Sequence, residues 1–592
     1  MSTAGTASGT DKLSEMLIER DVAIPMRDGA SLRANVYRPT DGNRCPVIVS
    51  AIPYGKDVHV RDAFPAVWQV LLEHYPEVLE ASSGRHMIWE CPDPEVWVHH
   101  GYAVVQMDVR GTGKSPGFLN PNSPAEVDDC CDAIAWAGEQ PWSSGSVGLL
   151  GLGYITAANW QVAARKPPHL KAMIPCQGTY DFYRDRTHND GIYSSGFTTM
   201  WWEGFGKNNQ YGNPDCTLRD MYTGEINTGQ PSLSEDELIR NRVDYPNEVL
   251  AHPLLDEWYH ARTADLAAID LPALVVANWG GLGLQSRGTI NGWTGLSSPE
   301  KWLLVEDGSY FFTFFTPDRV ALFRAFFDRY LKGIDNNWEM PRVSVSVRTM
   351  NGEAVVAEGA NWPLPSTTAQ TLHLDFDENL LSPSAPKRPT QVSYSPFEDA
   401  VVVSTAPLAE DLTIAGPLAL RLWLSSESPD TDLFVTVQAF DPDGEEVTFL
   451  TAADPAAPLT QGWLRASQRE LDLDRSTELA PVHVHVERKP LVPGEVHEVS
   501  VALWPTSLQL PAGSHLRVTI GGRDFARPEG DDKPRPVVVM SHDDPRDRPP
   551  HVFGGRVTLH SSAERTSVIL LPVLPHSLGE DTSPTVREGA DR

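Results

Sequence analysis

The fold class this sequence predicts is α/β: a mostly parallel sheet with helices on both faces, covered by a helical cap and followed by an all-β domain of jelly-roll type. Three observations predict it. Short apolar runs alternate with helical patterns over the first 180 residues. A stretch of mixed aromatic and polar residues then breaks the alternation. After Gly333 helical periodicity gives way to alternating segments separated by Pro, Gly and Asp turns.

Residues 20–38 read as a β-hairpin turning at Arg27-Asp28-Gly29. Pro46–Ser50 and Tyr102–Met107 are apolar throughout, as strands buried on both faces require. A helical pattern runs from about Ala125 to Gln140. Val147–Leu150 is a third buried strand, followed by a Gly-rich turn and a helix from Ala157 to Ala164. Ala172–Pro175 is a fourth. In the cap, Ser234 and Glu237 have the spacing of a capping box. The sheet resumes at Ala273–Ala277 and Trp302–Val305, and a helix from about Pro317 to Leu331 closes the domain. Val343–Val347 and Leu418–Leu424 alternate as strands of the β domain. The divisions are therefore 13–180 and 263–340 for the α/β domain, 181–262 for the cap and 341–578 for the jelly roll. Residues 1–12 and 579–592 read as loose termini.

At 592 residues the chain is long enough for two or three domains, and 41% hydrophobic content with 17 Trp supplies large cores. The 79 acidic residues outnumber the 48 basic ones, for a net charge of −31. That argues against nucleic acid and against anionic membranes as partners. No secretory signal and no bilayer-spanning apolar run is present, so a cytoplasmic location is expected. The six Cys form no CxxC pair and read as buried thiols. No nucleotide-binding fingerprint appears, and no cofactor is expected. His483 and His485 alternate without a carboxylate or Cys in their own stretch, so no metal is expected either. A homodimer is compatible with the sequence.

Ordered motifs run the length of the chain. They include Met26-Arg27-Asp28-Gly29, Ile52-Pro53-Tyr54-Gly55-Lys56, Asp108-Val109-Arg110-Gly111-Thr112-Gly113 and Gln140-Pro141-Trp142-Ser143. His252-Pro253 follows in the cap. Ala415-Gly416-Pro417-Leu418, Gly462-Trp463-Leu464-Arg465 and Trp504-Pro505-Thr506-Ser507 lie in the β domain. In these the chain resembles the cocaine-esterase/X-Pro dipeptidyl-peptidase (CocE/NonD, S15-like) family. The resemblance implies an α/β-hydrolase domain, a helical cap and a C-terminal jelly roll.

It also implies a Ser–Asp–His triad, with the nucleophile on a sharp strand-to-helix turn. The matching turn here is Gly151-Leu152-Gly153-Tyr154, so glycine holds the nucleophile position. The family's Asp maps to Gly281 in Asn278-Trp279-Gly280-Gly281. The His maps to Ser309 or Tyr310, and no His occurs between His260 and His373. Gly113-Lys114-Ser115-Pro116-Gly117 matches G-x-S-x-G literally, but Pro116 disfavours a helix there, and Ser115 reads as a loop residue.

What the resemblance leaves at the site is an oxyanion hole: the Tyr54 hydroxyl and the Tyr154 amide. Ser309 and Tyr310 complete the candidate catalytic set. Gly153 and Gly281 would clear space for a flat substrate, with Trp201, Trp202 and Trp279 as walls and Asp307 or Glu306 as a base. Trp201 and Trp202 read equally as cap packing, and His59, His188 and His252 as structural. The expected partner is a small, polycyclic aromatic molecule. The expected function is non-hydrolytic: oxyanion stabilisation during C–C bond formation by Michael addition or cyclisation. Hydrolase-like proteins of anthraquinone-fused enediyne biosynthesis resemble that description. The alternatives are a divergent esterase or amidase using another nucleophile or activated water, and a non-catalytic metabolite-binding protein.

Overall fold

The computed structural model describes residues 15–309, 311–528, 530–535 and 540–575. Tyr310 and both terminal segments lie outside the described residues.

The first domain is built on a ten-stranded sheet. Its strands are β1 (Met16–Pro25), β2 (Ser31–Pro39), β3 (Cys45–Ile52), β4 (Ala103–Asp108), β5 (Ser143–Leu152), β6 (Leu170–Cys176), β7 (Ala273–Asn278), β8 (Lys301–Glu306), β9 (Val343–Arg348) and β10 (Ala354–Gly359). The order is β1-β2-β4-β3-β5-β6-β7-β8-β9-β10, parallel from β4 to β9. The central strands β3, β4 and β7 are buried along their whole length, which is why their sequences carry no polar alternation. Helices α1 (Pro124–Glu139), α2 (Tyr154–Ala164), α3 (Ser286–Gly295) and α4 (Pro317–Lys332) cover the faces. The N-terminal hairpin forms as the Arg27-Asp28-Gly29 turn predicts.

One boundary is corrected. Val343–Arg348 was expected to open the β domain, but it pairs in parallel with β8 and carries β10 beyond it. A Val-Ser-Val-Ser-Val alternation specifies a half-buried strand; it does not say which sheet the strand joins.

Between β6 and β7 the chain forms the cap from short helical pieces and long turns. Ser195–Trp201, Glu235–Arg240 and Tyr245–Ala251 are α-helical, and the second opens with the expected capping box. The Ser234 amide donates to Glu237 at 2.8 Å. A hairpin in the cap (His188–Asn189 with Ile192–Tyr193) packs Ile192 against Phe434, Trp463 and Trp504 of the C-terminal domain.

The C-terminal domain is all-β, as expected, and its ladder closes into a barrel. Leu412–Ser426 pairs with His497–Leu510 on one side and with Val568–Leu574 on the other, so the ring of strands has no free edge there. Leu, Val and Ile from alternate positions fill it. No helix among the described residues is long and apolar enough to cross a membrane, and all six cysteines are buried and free.

Candidate active site

The turn from β5 into α2 has the backbone of a nucleophile elbow. Gly153 sits there at φ 58°, ψ −114°, a conformation that residues with a Cβ adopt only under strain. A Cβ at this position would collide with the carboxyl group of Glu90. The elbow is therefore present, its residue is glycine, and a carboxyl group from another segment fills the space above it.

Glu90 itself is at φ 61°, in the left-handed region, and is 6% exposed. Its Oε2 accepts the Tyr154 amide at 2.9 Å, at the start of α2. Its backbone carbonyl accepts the Leu152 amide at 3.1 Å, which pins the segment to the end of β5. Burial pushes the Glu90 carboxyl up to about 8. The Tyr154 amide and the charge of Arg186 pull against that rise without cancelling it.

Aromatic rings wall the carboxyl. Phe64 stacks on Trp89 at 3.9 Å and on Phe205 at 5.1 Å. Tyr54 meets Tyr154 edge to face at 6.2 Å, and Trp201 stacks on Tyr154 at 5.5 Å. The Tyr54 hydroxyl accepts the Trp201 indole N–H at 3.1 Å. Burial and the neighbouring Glu90 raise the Tyr54 phenol well above its ordinary value, so it stays protonated. Arg186, 4% exposed, lies over Phe197 at 5.0 Å and Trp201 at 5.2 Å. Among the described residues no carboxylate forms a salt bridge with Arg186, so its charge stays available beside Glu90.

Tyr54, Gly153, Tyr154 and Trp201, all candidates from sequence, are thus brought together. The role expected of the Tyr154 amide is corrected: it is not an open oxyanion donor here, because Glu90 occupies it. The Tyr154 hydroxyl points elsewhere, donating to Glu126 at 2.8 Å and accepting the Asn122 amide at 3.0 Å. Burial raises Glu126 to about 7.

The remaining candidates do not join this group. A Cβ at Gly281 would lie 2.7 Å from Gln177 Oε1 and 2.8 Å from the Ser286 amide, so this glycine permits close packing and does not empty a pocket. Trp279 donates to the Ser346 carbonyl at 2.7 Å and packs beside Trp362, away from the elbow. Trp202 packs against Tyr245 within the cap. The Ser309 amide donates to the Tyr75 hydroxyl at 2.8 Å; its loop reaches the site through Phe311, which lies 4.4 Å from Trp89. Glu306 is tied to Arg319 at 2.5 Å, and Asp307 is half-buried, its carbonyl accepting from Asn278. Neither is placed as a base for the elbow. Tyr310 lies outside the described residues. Ser115 is a loop residue: its hydroxyl donates to the Asp108 carbonyl at 2.7 Å and accepts the Arg33 amide at 2.9 Å. His59, His188 and His252 bond to Gly84, Tyr259 and Asp256, respectively, and are structural.

Sequence reasoning missed Glu90 and Arg186. The one signal for Glu90 is its setting, a lone carboxylate in Met87-Ile88-Trp89-Glu90-Cys91-Pro92. Nothing around Arg186 distinguishes it from a surface arginine.

Residues 28–310 match the family model described as X-Pro dipeptidyl-peptidase (S15 family). Residues 336–567 match its C-terminal non-catalytic domain. Side by side, the two matches make the chain similar to the S15 family over most of its length. A curated relative, cocaine esterase of Rhodococcus sp., is 23% identical across 94% of this chain and 98% of its own length. A putative Xaa-Pro dipeptidyl-peptidase of Bacillus anthracis is 31% identical over 29% of this chain and 31% of its own length. Among solved structures, a CocE/NonD family hydrolase from Staphylococcus aureus superposes with a TM-score of 0.81 at 28% identity. That match covers 95% of this chain and 94% of the other. An α-amino acid ester hydrolase shares the fold, with a TM-score of 0.65 at 17% identity, covering 97% of this chain and 98% of the other.

Proposed function

We propose that this chain is an enzyme acting on an ester or amide carbonyl without a covalent intermediate, with Glu90 as its acid–base group and water as the nucleophile. The observation that carries the reading is the placement of Glu90: a buried carboxyl lies over the elbow where a side-chain nucleophile would project, hydrogen-bonded to the Tyr154 amide. A carboxyl raised to about 8 exchanges its proton near neutral pH, which general acid–base chemistry needs. On substrate binding Glu90 would leave the Tyr154 amide and deprotonate a water. The vacated amide, the Tyr54 hydroxyl and the Arg186 charge would then face the developing oxyanion. The Ser–Asp–His triad plays no part in this scheme. The esterase and dipeptidyl-peptidase names of the relatives support the carbonyl substrate class.

The test uses p-nitrophenyl esters and X-Pro p-nitroanilides in ¹⁸O-labelled water. The reading expects one labelled oxygen in the acid product, no labelling of the protein by a fluorophosphonate, and loss of turnover in Glu90→Gln. Full activity in Glu90→Gln would overturn it.

A second reading is favoured by the aromatic walls. The same acid–base group beside Arg186 and Tyr54 could protonate or stabilise an enolate or phenolate during C–C bond formation on a polycyclic aromatic substrate, by Michael addition or cyclisation, of the anthraquinone-enediyne kind. An isomeric product of unchanged mass, with no oxygen from water, would select it over hydrolysis.

A further inference from the structure

We propose that Asp190, His483 and His485 bind one divalent transition-metal ion of the zinc class, at the junction of the cap hairpin and the C-terminal domain. His483 forms an isolated bridge with Leu471 and His485 turns through φ 55°, and both imidazoles come to face Asp190. That stretch offers no third ligand. The fold supplies one from 293 residues away: Asp190, at the tip of the hairpin between Asn189 and Ile192.

The three ligand atoms lie within 4.8 Å of one another. Asp190 Oδ1 is 3.6 Å from His485 Nε2 and 3.9 Å from His483 Nδ1. A tetrahedral site with bonds of ~2.0–2.1 Å sets its ligands ~3.3 Å apart, so closure on an ion needs shifts of about 0.3–0.6 Å from Asp190 to each imidazole and at most about 1.5 Å between the imidazoles.

The surroundings point to a ligand. Both histidines are fully buried, and Nδ1 and Nε2 of His483 and Nε2 of His485 have no well-aligned hydrogen-bond partner. His483 lies near the Ser500 backbone and His485 Nε2 near the Asp190 carboxylate, but buried imidazole nitrogens without a well-formed hydrogen bond are costly and uncommon. The tautomer of His485 is set from behind. Its Nδ1 bonds to Gln468 Oε1 at 2.8 Å, and that oxygen also accepts the Tyr183 hydroxyl at 3.0 Å. His485 Nδ1 therefore carries the proton, and Nε2 turns a lone pair toward Asp190, which is how an outer hydrogen bond prepares a metal-binding histidine.

The charges agree. Arg287 binds Asp190 Oδ2 at 2.6 Å and Asp185 at 2.7 Å, leaving Asp190 Oδ1 free for the ion. Arg184 pairs with Asp181 at 2.6 Å. With Asp265 and Arg475, which line the same cavity as these groups, four acids face three arginines, so with neutral imidazoles the cluster holds one surplus negative charge that a cation would offset. Beyond it, Arg465 is matched by Asp432 and Asp547. Asp190 also lines a cavity of about 590 Å³ bounded by Asp181, Arg184, Asp185 and Arg287, which reaches one of the three ligands. Two imidazoles and a carboxylate suit zinc, cobalt or nickel better than calcium or magnesium.

The test uses the full-length chain without a histidine tag. Its metal content is measured by plasma mass spectrometry, and its Tm is followed with chelator and then with added Zn²⁺. The chelated protein is also loaded with Co²⁺ for visible spectroscopy. The expected result is about one zinc per chain, a Tm lowered by chelation and restored by Zn²⁺, and a Co²⁺ spectrum of tetrahedral nitrogen–oxygen type. Asp190→Asn and His485→Gln should each weaken Zn²⁺ binding by at least ~100-fold, and Gln468→Ala by ~10–100-fold. If those variants fail to fold, the metal content and Co²⁺ spectrum of the unaltered chain decide. No stoichiometric metal and no response of Tm to Zn²⁺ or chelator would overturn the proposal, leaving an imidazole–carboxylate contact of structural value only. Unchanged Zn²⁺ affinity in folded Asp190→Asn would overturn it as well.

Discussion

Glu90 and Asp190 are both buried carboxyl groups at turns of the chain, yet their surroundings drive them in opposite directions. Glu90 has the amides that open α2, the Trp89 side chain, aromatic walls, and an arginine that none of the described carboxylates binds; its pKa still rises to about 8. Asp190 suffers the same desolvation, but Arg287 grips it directly, which holds it well below the ordinary carboxylate range. Burial alone therefore does not set the charge of an interior acid; the distance to its nearest cation does. The elbow is poised to exchange a proton. The interdomain cluster is built to keep its charge.

The sharpest way to break this contrast is Glu90→Gln, expected to lower kcat by ~10²–10⁴-fold in steady-state assays on whichever substrate class turns over. In the unaltered enzyme, the rate of a reaction that uses the Glu90 carboxylate as base should climb with pH and level off above about 8. A flat profile between pH 6 and 9 would argue against that role.

Glu90 also has a stability signature. Its folded pKa, about 8, lies above its ordinary 4.5, so the folded chain holds this proton more tightly than the unfolded one. The resulting stabilisation is complete below about pH 4.5 and is lost as pH rises through about 8. Denaturant melts should find Glu90→Gln free of that loss, with an advantage over the unaltered chain on the order of a few kcal/mol near pH 9.

At the other site the effect should be structural. Arg287→Met leaves Asp185 and Asp190 buried without their cation and should cost about 3–5 kcal/mol, read as a lower midpoint in chemical denaturation. Arg186→Met should instead leave the fold nearly intact, reduce turnover by roughly 10²-fold and move the pH midpoint of the rate upward, because one opposing charge beside Glu90 is gone. The smallest effect concerns the elbow backbone. Gly153→Ser should destabilise by about 1–3 kcal/mol through its positive φ and its clash with Glu90. Pairing it with Glu90→Ala should recover the clash portion, and a double-mutant cycle measures the coupling.

The architecture was readable because it rests on local patterns. The apolar runs of β3, β4, β5 and β6, the helix after Gly153 and the Ser234–Glu237 capping box were all placed from periodicity and spacing. Val343–Arg348 was assigned to the wrong sheet, since alternation marks a face and carries no partner. The two glycines read as cleared space were the larger error. At both Gly153 and Gly281 a neighbouring side chain, Glu90 or Gln177, already fills the volume. A sequence reports which side chain is missing, and packing decides what takes its place.

The sequence by itself determined a two-part α/β and all-β chain with a sharp glycine turn at the head of α2, because strand and helix propensity and turn chemistry act over a few residues. Tertiary structure decided the rest. Glu90 meets the Tyr154 amide across 64 residues, and Asp190 meets the two histidines across nearly 300. Burial and charge are properties of those meetings, since a carboxyl group's desolvation and its distance to an arginine exist only once the chain has folded.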